Sequence, residues 1–356
     1  MFPDERIIPV AYRDDILQVA AQRIIKRCAA ILPDLTRCVT LLPDLQFAPR
    51  LRGHLLQAAG SRHPALLGPT ILTTHLWLCE HLPLDREIPG RARRELMLVE
   101  ALQQQPSVFA GIDPWHIASD MLSLFDDLTL NRVPLPESLD EFTATLKQAY
   151  GIRDSIPEPL GMEATIVHRL WQAWHEQLSA EDLCDPGMAY LQRLAAAAAN
   201  DGDTVFFLIG PATMSHAELE WVTGLLQADC AEVILQAPPQ DQQRITRHPL
   251  ALLLDHSGAT AAPLPEPTPG SRCLDAALLN CDRAPAERAR EFCARVTRSP
   301  LAGNLAILPA NSAEQEARAI DIQVRQWLLE GRQSIAVVTE DRRLARRVRA
   351  LLERAG

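Results

Sequence analysis

The stretch VFFLIGPATMSHAELEWVTGLLQADCAEVILQA, residues 205–237, decides the fold class. Its first five residues are an unbroken apolar run, the pattern of a strand buried on both faces. Gly210-Pro211 ends that run, and Ser215 with Glu218 forms the S-x-x-E pattern that caps a helix start. The helix runs to about Ala228, and residues 232–237 return as a strand. Strand, helix and strand within 33 residues form a βαβ unit, which makes the two strands parallel.

The same grammar repeats outward in both directions. Residues 38–42 pass through Pro43 into a helix over 47–59, and 70–73 lead into one over 75–81. Further on, 305–308 precede an S-x-x-Q box at Ser312 and Gln315 and a helix that stops at Gly331. Residues 335–339 form the next predicted strand and 341–354 its helix, with Leu344, Val348, Leu351 and Leu352 on one stripe. Between these sets, 83–199 reads as helical, over 94–104, 115–130, 139–149, 165–178 and 188–199, and so as an inserted helical subdomain. Residues 262–270, with prolines at 263, 265, 267 and 269, read as a surface linker. Gly356 follows a helix that would ordinarily hand over to another strand, so the chain is expected to be the front part of something longer.

Composition narrows the function. The chain has 356 residues, 47% of them hydrophobic, enough for two or three domains with sizeable cores. Thirty-five basic against 45 acidic residues give a net charge of −10, which excludes wholesale coating by nucleic acid or an acidic membrane. Any polyanion site must be local. The eight cysteines, at 28, 38, 79, 184, 230, 273, 281 and 293, include no C-x-x-C pair and suit a reduced, cytoplasmic protein. Residues 1–13 carry Asp4, Glu5 and Arg6 where a secretory signal would be apolar, and no window approaches a membrane span.

Several chemistries lack their residues. Only Lys26 and Lys147 supply lysine, and neither follows a glycine, so no G-x-x-x-x-G-K-[ST] phosphate loop exists. The strand at 205–209 runs into Gly210-Pro211 without the carboxylate that would hold hydrated magnesium, and no G-x-G-x-x-G turn is present. Ile24 and Thr145 stand two positions before the lysines, which removes the Asp/Glu-x-Lys element of metal-dependent nucleases. There is no G-x-S-x-G elbow. No catalytic, metal or cofactor residues are therefore assigned.

The remaining candidates each have a plainer reading. His75, Cys79 and His81 could share a metal, but a half-buried helix face is preferred. Trp171 and Trp174, flanked by His168 and His175, could stack bases, but core packing is preferred. Asp126 and Asp127 read as a solvated helix face. Residues 341–356 carry six arginines against two acids, and Arg342, Arg343, Arg346, Arg347 and Arg349 suit phosphate contact as readily as an ordinary solvated face.

In this order the units resemble the N-terminal part of AddB-type subunits of bacterial helicase–nucleases, the RecB-like double-strand-break repair family. EQEARAIDIQVRQWLLEGRQSIAVVTEDRRLARRVRALLERAG from Glu314 is similar to the family's E-x-E-A opening and V-T-x-D-R-x-L-A-R-R-V segment. DPWHIASDMLSLFDDLTLNRV at 113–133 is similar to a segment of its helical insertion. CVTLLP at 38–43 and TILTTHLW at 70–77 resemble the strand-plus-loop pieces that touch single-stranded DNA in superfamily-1 helicases, and FLIGPATMSHAELEWVTGLL from Phe207 resembles the strand and helix that carry magnesium carboxylates in active relatives.

The resemblance implies an α/β, P-loop-NTPase-like (RecA-like) parallel sheet with a degenerate nucleotide site. It divides the chain into 1–82 plus 200–298 (first RecA-like domain), 83–199 (helical insertion) and 299–356 (truncated start of a second RecA-like domain). The implied function is a non-catalytic, DNA-binding scaffold for repair and recombination, handling single-stranded DNA beside an AddA-like motor subunit, with no cofactor and no membrane. Thr73, Thr74 and His75 would approach the strand's backbone, and Arg342, Arg343, Arg346 and Arg347 its phosphates. Where relatives tend to have Thr-Arg-Arg after the strand's proline, this chain has Asp44-Leu45-Gln46, with less positive charge. The family's nuclease domain falls outside these residues. The rival is a small-molecule enzyme on a Rossmann-like sheet using Thr339, Glu340 and Asp341.

The missing lysine and magnesium carboxylate predict no ATP turnover. A coupled phosphate-release assay with and without single-stranded DNA should stay at background, and DNA-stimulated hydrolysis that survives repurification would refute the reading.

Overall fold

The computed structural model describes residues 6–12, 14–103, 113–152, 157–198, 204–237, 248–259, 283–299 and 301–354. The chain divides into two compact units, Met1–Glu266 and Pro267–Gly356. The proline-rich stretch expected as a linker lies outside the described residues.

The first unit is α/β. Its sheet has five strands, β1 (Ile7–Ala11), β2 (Cys38–Leu41), β3 (Thr70–Leu72), β4 (Val205–Ile209) and β5 (Ala231–Ala237), in the order β1-β5-β4-β2-β3. Every pairing is parallel. The apolar run at 205–209 is the central strand β4, and its residues alternate between two cores. Phe206 and Leu208 join the cluster under α3 (Thr74–His81), α8 (Pro186–Ala198), α9 (His216–Gln227) and α10 (Pro249–Ser257), whereas Phe207 and Ile209 join that under α1 (Ile16–Arg27) and α2 (Ala48–Ala59). Handedness explains the split. The chain moves one way along the sheet from β1 to β2 to β3 and back from β3 to β4 to β5, so right-handed crossovers place the two helix sets on opposite faces.

The pair β1 and α1 was not legible in the sequence. Pro9 interrupts the run and argues against a strand, yet β1 is an edge strand, where a missing donor is tolerated. Its pairing with β5 is secured by a buried carboxylate. Glu232, 2% exposed, takes Arg6 Nη1 at 3.2 Å, Arg23 Nε at 3.1 Å and Arg27 Nε at 3.8 Å, while Arg6 and Arg27 also pair with Asp229.

The helical insertion comprises α4 (Arg91–Gln103), α5 (Pro114–Leu130), α6 (Leu139–Tyr150), α7 (Glu158–Ala180) and α8. Trp171 and Trp174, each 2% exposed, fill its core with Phe125, Leu98 and Leu102, so their faces are taken by packing. Asp126 departs from its expected solvated role. The buried Arg94 donates to it (Nη1–Oδ2 3.2 Å) and to Asp185 (3.4 Å), with its guanidinium 5.7 Å from the Trp174 ring centre. The partner lies 32 residues away on α4, beyond the reach of any helix-spacing rule.

In the second unit, α12 (Ala313–Leu329) and α13 (Arg342–Glu353) pack through Ala317, Leu344 and Val348, preceded by α11 (Pro285–Arg295). The strands expected over 305–308 and 335–339 are absent from any ladder, and Ile307 and Val338 are 86% and 93% exposed. A strand exists only with a partner for its backbone, and these described residues supply none.

Replacing Glu232 by Gln should leave three guanidiniums around a neutral group and destabilise the first unit by about 3 kcal/mol, since breaking a buried ion pair costs that order. Urea unfolding followed by tryptophan fluorescence measures the loss, and an unchanged midpoint would reduce the cluster to surface decoration.

Candidate functional site at the carboxyl edge of the sheet

Because all five strands are parallel, their carboxyl ends share one edge, where open α/β sheets place ligands. A cleft of about 770 Å³ opens there, bounded by Asp15 and Ile16 of the α1 start, Pro43 after β2, Gly210-Pro211 after β4 and His248 at the α10 start. Gly210 has φ +59°, the left-handed turn that glycine adopts without strain, and that turn sends the chain away from β4.

In nucleotide-binding sheets, the amides of a helix start face a phosphate. Here the chain's own carboxylate occupies the start of α1. Asp15 caps the helix, accepting from the Leu17 amide at 3.1 Å. Its Oδ2 also accepts from Arg50 Nη2 at 2.7 Å and lies 3.1 Å from His54 Nε2. Burial works to raise its pKa, but the Arg50 charge, the Leu17 amide and His54 outweigh it and hold the carboxyl below the ordinary aspartate value. Across the cleft, burial lowers the His248 pKa, and Nδ1 accepts from the Leu250 amide at 3.2 Å, so the ring caps α10 in its neutral form. The edge therefore presents a fixed carboxylate and a neutral imidazole where a triphosphate would require a lysine. Asp15 had a sequence signal in its position before the apolar run at Ile16, whereas Arg50 and His54 had none.

Thr73, Thr74 and His75 stand at the carboxyl end of the outer strand β3. Thr73 caps α3, its Oγ1 accepting from the Leu76 amide at 3.3 Å, which leaves the hydroxyl proton for an external acceptor. Thr74 is half-buried and His75 exposed. Sequence reasoning missed Tyr190, whose ring stacks on His75 at 5.9 Å. The Tyr190 hydroxyl donates to Glu218 Oε1 at 2.6 Å, and Glu218 Oε2 accepts from the Ser215 amide at 2.7 Å, completing the capping box read from the sequence. Burial, then Glu218, pushes the Tyr190 pKa far up, which keeps the phenol neutral. His75 Nε2 lies 3.6 Å from Cys79 Sγ, but His81 does not join them. Arg193 donates to Cys79 Sγ at 3.2 Å and His81 Nδ1 donates to the Trp77 carbonyl at 3.0 Å.

The arginines belong to the second unit. Arg342, Arg343 and Arg346 are exposed and have no acidic partner among the described residues. Arg347 lies 3.4 Å from Glu314, and Arg349 pairs with Glu353 at 2.6 Å. Of the rival's residues, Thr339 Oγ1 accepts from the Asp341 amide at 3.1 Å, and Asp341 caps α13 by accepting from Arg343 N at 2.7 Å. Among the described residues no group of three metal-ligating side chains occurs, and no helix is long and apolar enough to cross a membrane.

In comparisons with known proteins, no protein-family model matches the chain and no curated protein matches it significantly.

An Asp15→Ala variant should lose about 1 kcal/mol of stability at neutral pH, the usual worth of an N-cap. Because the folded pKa is depressed, this contribution is present above the unfolded value of about 3.9 and is lost as pH falls through the folded one. Denaturation measured from pH 7 downward should show wild type and variant converging in acid. A constant difference would place the effect in packing instead of charge.

Proposed function

We propose that the chain is a non-catalytic, DNA-binding helicase-like scaffold of AddB type, serving double-strand-break repair and recombination in the cytoplasm beside an AddA-like motor subunit. Its sheet is the RecA-like kind with a degenerate nucleotide site, and its ligand is single-stranded DNA. The observation that carries the reading is the face of Arg342, Arg343 and Arg346, which are exposed and without an acidic partner among the described residues, on a chain of net charge −10. Several exposed arginines elsewhere sit beside carboxylates, as Arg93 does with Glu87 and Arg132 with Glu220. Three such guanidiniums on one helix supply the backbone contact that single strands take without sequence choice.

Thr73 and His75 support the reading from the first unit. A threonine hydroxyl proton and an imidazole stacked on Tyr190 suit a sugar–phosphate backbone and an unstacked base. The occupied start of α1 supports the non-hydrolytic part, since Asp15 repels the phosphates that a motor would hold there. One observation favours the small-molecule rival. The cleft volume, about 770 Å³, lies within the range of ligand pockets.

Replacing Arg342, Arg343 and Arg346 by Gln preserves helix propensity and leaves the Leu344–Val348 stripe intact. Single-stranded DNA binding at several salt concentrations should weaken alike for unrelated sequences, and the salt slope should fall by up to about 0.7 per arginine. Unchanged affinity and slope, with the circular dichroism also unchanged, would overturn the phosphate role of this helix.

A further inference from the structure

Six of the eight cysteines lie in described residues, and two of these meet. Cys28 caps the carboxyl end of α1 and Cys38 opens β2, with their Sγ atoms 3.2 Å apart. Both side chains are buried, 3% and 0% exposed. Neither belongs to the carboxyl-edge cleft or to the proposed DNA contacts. They lie at the amino end of β2, and the helix end and strand on either side hold the sulfurs facing each other in a well-packed core. Of residues 29–37 between them, only Leu35 is buried, and the turn is held by a few backbone bonds to Leu67 and Val205, so a reagent reaches the thiols when those bonds open locally.

We propose that Cys28 and Cys38 form a reversible disulfide, a modification site that joins the end of α1 to the start of β2 when a low-molecular-weight disulfide acts as oxidant. With glutathione disulfide the exchange has two steps. The thiolate of Cys28 attacks one sulfur of the oxidant, the oxidant's S–S bond breaks, and one glutathione thiolate leaves and takes up a proton. The Cys38 thiol then loses its proton and attacks the Cys28 sulfur of the mixed disulfide, displacing the second glutathione. Two protein thiols are oxidised and one glutathione disulfide is reduced to two glutathione molecules. Cys28 is the first nucleophile because the hydrogen bond from Cys38 holds its pKa below the usual thiol value, against burial, whereas the same bond and burial push Cys38 up. The closed ring spans 11 residues, 28–38, so the bond restricts the unfolded chain and stabilises the folded one.

The test uses the full chain, equilibrated in glutathione buffers of rising oxidised-to-reduced ratio, both in native buffer and in urea below the unfolding transition. After acid quenching and alkylation, unreduced protein is digested with trypsin, which cuts after Arg27, Arg37 and Arg50 and puts the two cysteines on separate peptides, 28–37 and 38–50. The expected product is those peptides joined, two hydrogens lighter than their sum, accumulating with the ratio and disappearing on dithiothreitol treatment. In Cys28→Ser and Cys38→Ser it should be missing, while the surviving cysteine becomes alkylated or carries glutathione. Two results would overturn the proposal. One is that both thiols remain fully alkylated at the most oxidising ratio, in buffer and in urea alike. The other is that either cysteine joins Cys79, Cys184, Cys230 or Cys293 in preference to its neighbour. The wild-type measurement decides the question even if a serine variant fails to fold.

Discussion

A parallel strand buried on both faces leaves no side for water, and that constraint on β4 organises the first unit. Phe206 and Leu208 need one layer of helices, and Phe207 and Ile209 need another. Each return to the sheet must cross by a right-handed connection, so the reversal of direction after β3 distributes α1 and α2 to one face and α3, α8 and α9 to the other. The long helical insertion is compatible with this because it leaves after α3 and returns through α8, whose Leu191, Leu194 and Ala197 rejoin the core. The insertion itself keeps a separate core around Trp171 and Trp174.

Parallel strands also gather the chemistry at one edge. Loops after β1, β2 and β4 and the start of α10 converge on a cleft, and the capped start of β3's helix stands at the same edge. The electrostatic character of that edge is set by Asp15. A helix start attracts negative charge, and a covalently attached carboxylate already occupying it has no translational entropy to lose. Arg50 donates to the same group, with His54 beside it, so a cation that could have faced an external phosphate is committed within the chain. At the opposite edge, Glu232 gathers Arg6, Arg23 and Arg27 in the same way. On a chain with ten more acids than bases, Arg342, Arg343 and Arg346 of α13 stand together on one helix with no acidic partner among the described residues.

Much of this was legible from spacing alone. The βαβ unit at 205–237, the capping box of Ser215 and Glu218, the strands near 38 and 70 and the cap of α12 at Ser312 follow from short-range rules and appear where those rules place them, as do the insertion helices, save that the one expected over 165–178 begins at Glu158. The runs at 305–308 and 335–339 read as strands for the same local reason and stand outside any ladder, because strand formation depends on a neighbour that local pattern does not supply. β1 escaped notice because Pro9 argues against a strand unless its edge position is already known.

The sequence by itself determined the fold class, the absence of a phosphate loop and of an Asp/Glu-x-Lys element, and the concentration of arginine over 342–349, since each is written in residue identity and near spacing. Only the tertiary structure decided which groups meet. Asp15 finds Arg50 35 residues away, Tyr190 comes to rest on His75, and Arg6 reaches Glu232 across 226 residues. The reason is physical. Helix and strand patterns repeat over a few residues, whereas the partner of a buried charge or a stacked ring is set by strand order and crossover handedness, which bring distant segments to one edge of the sheet.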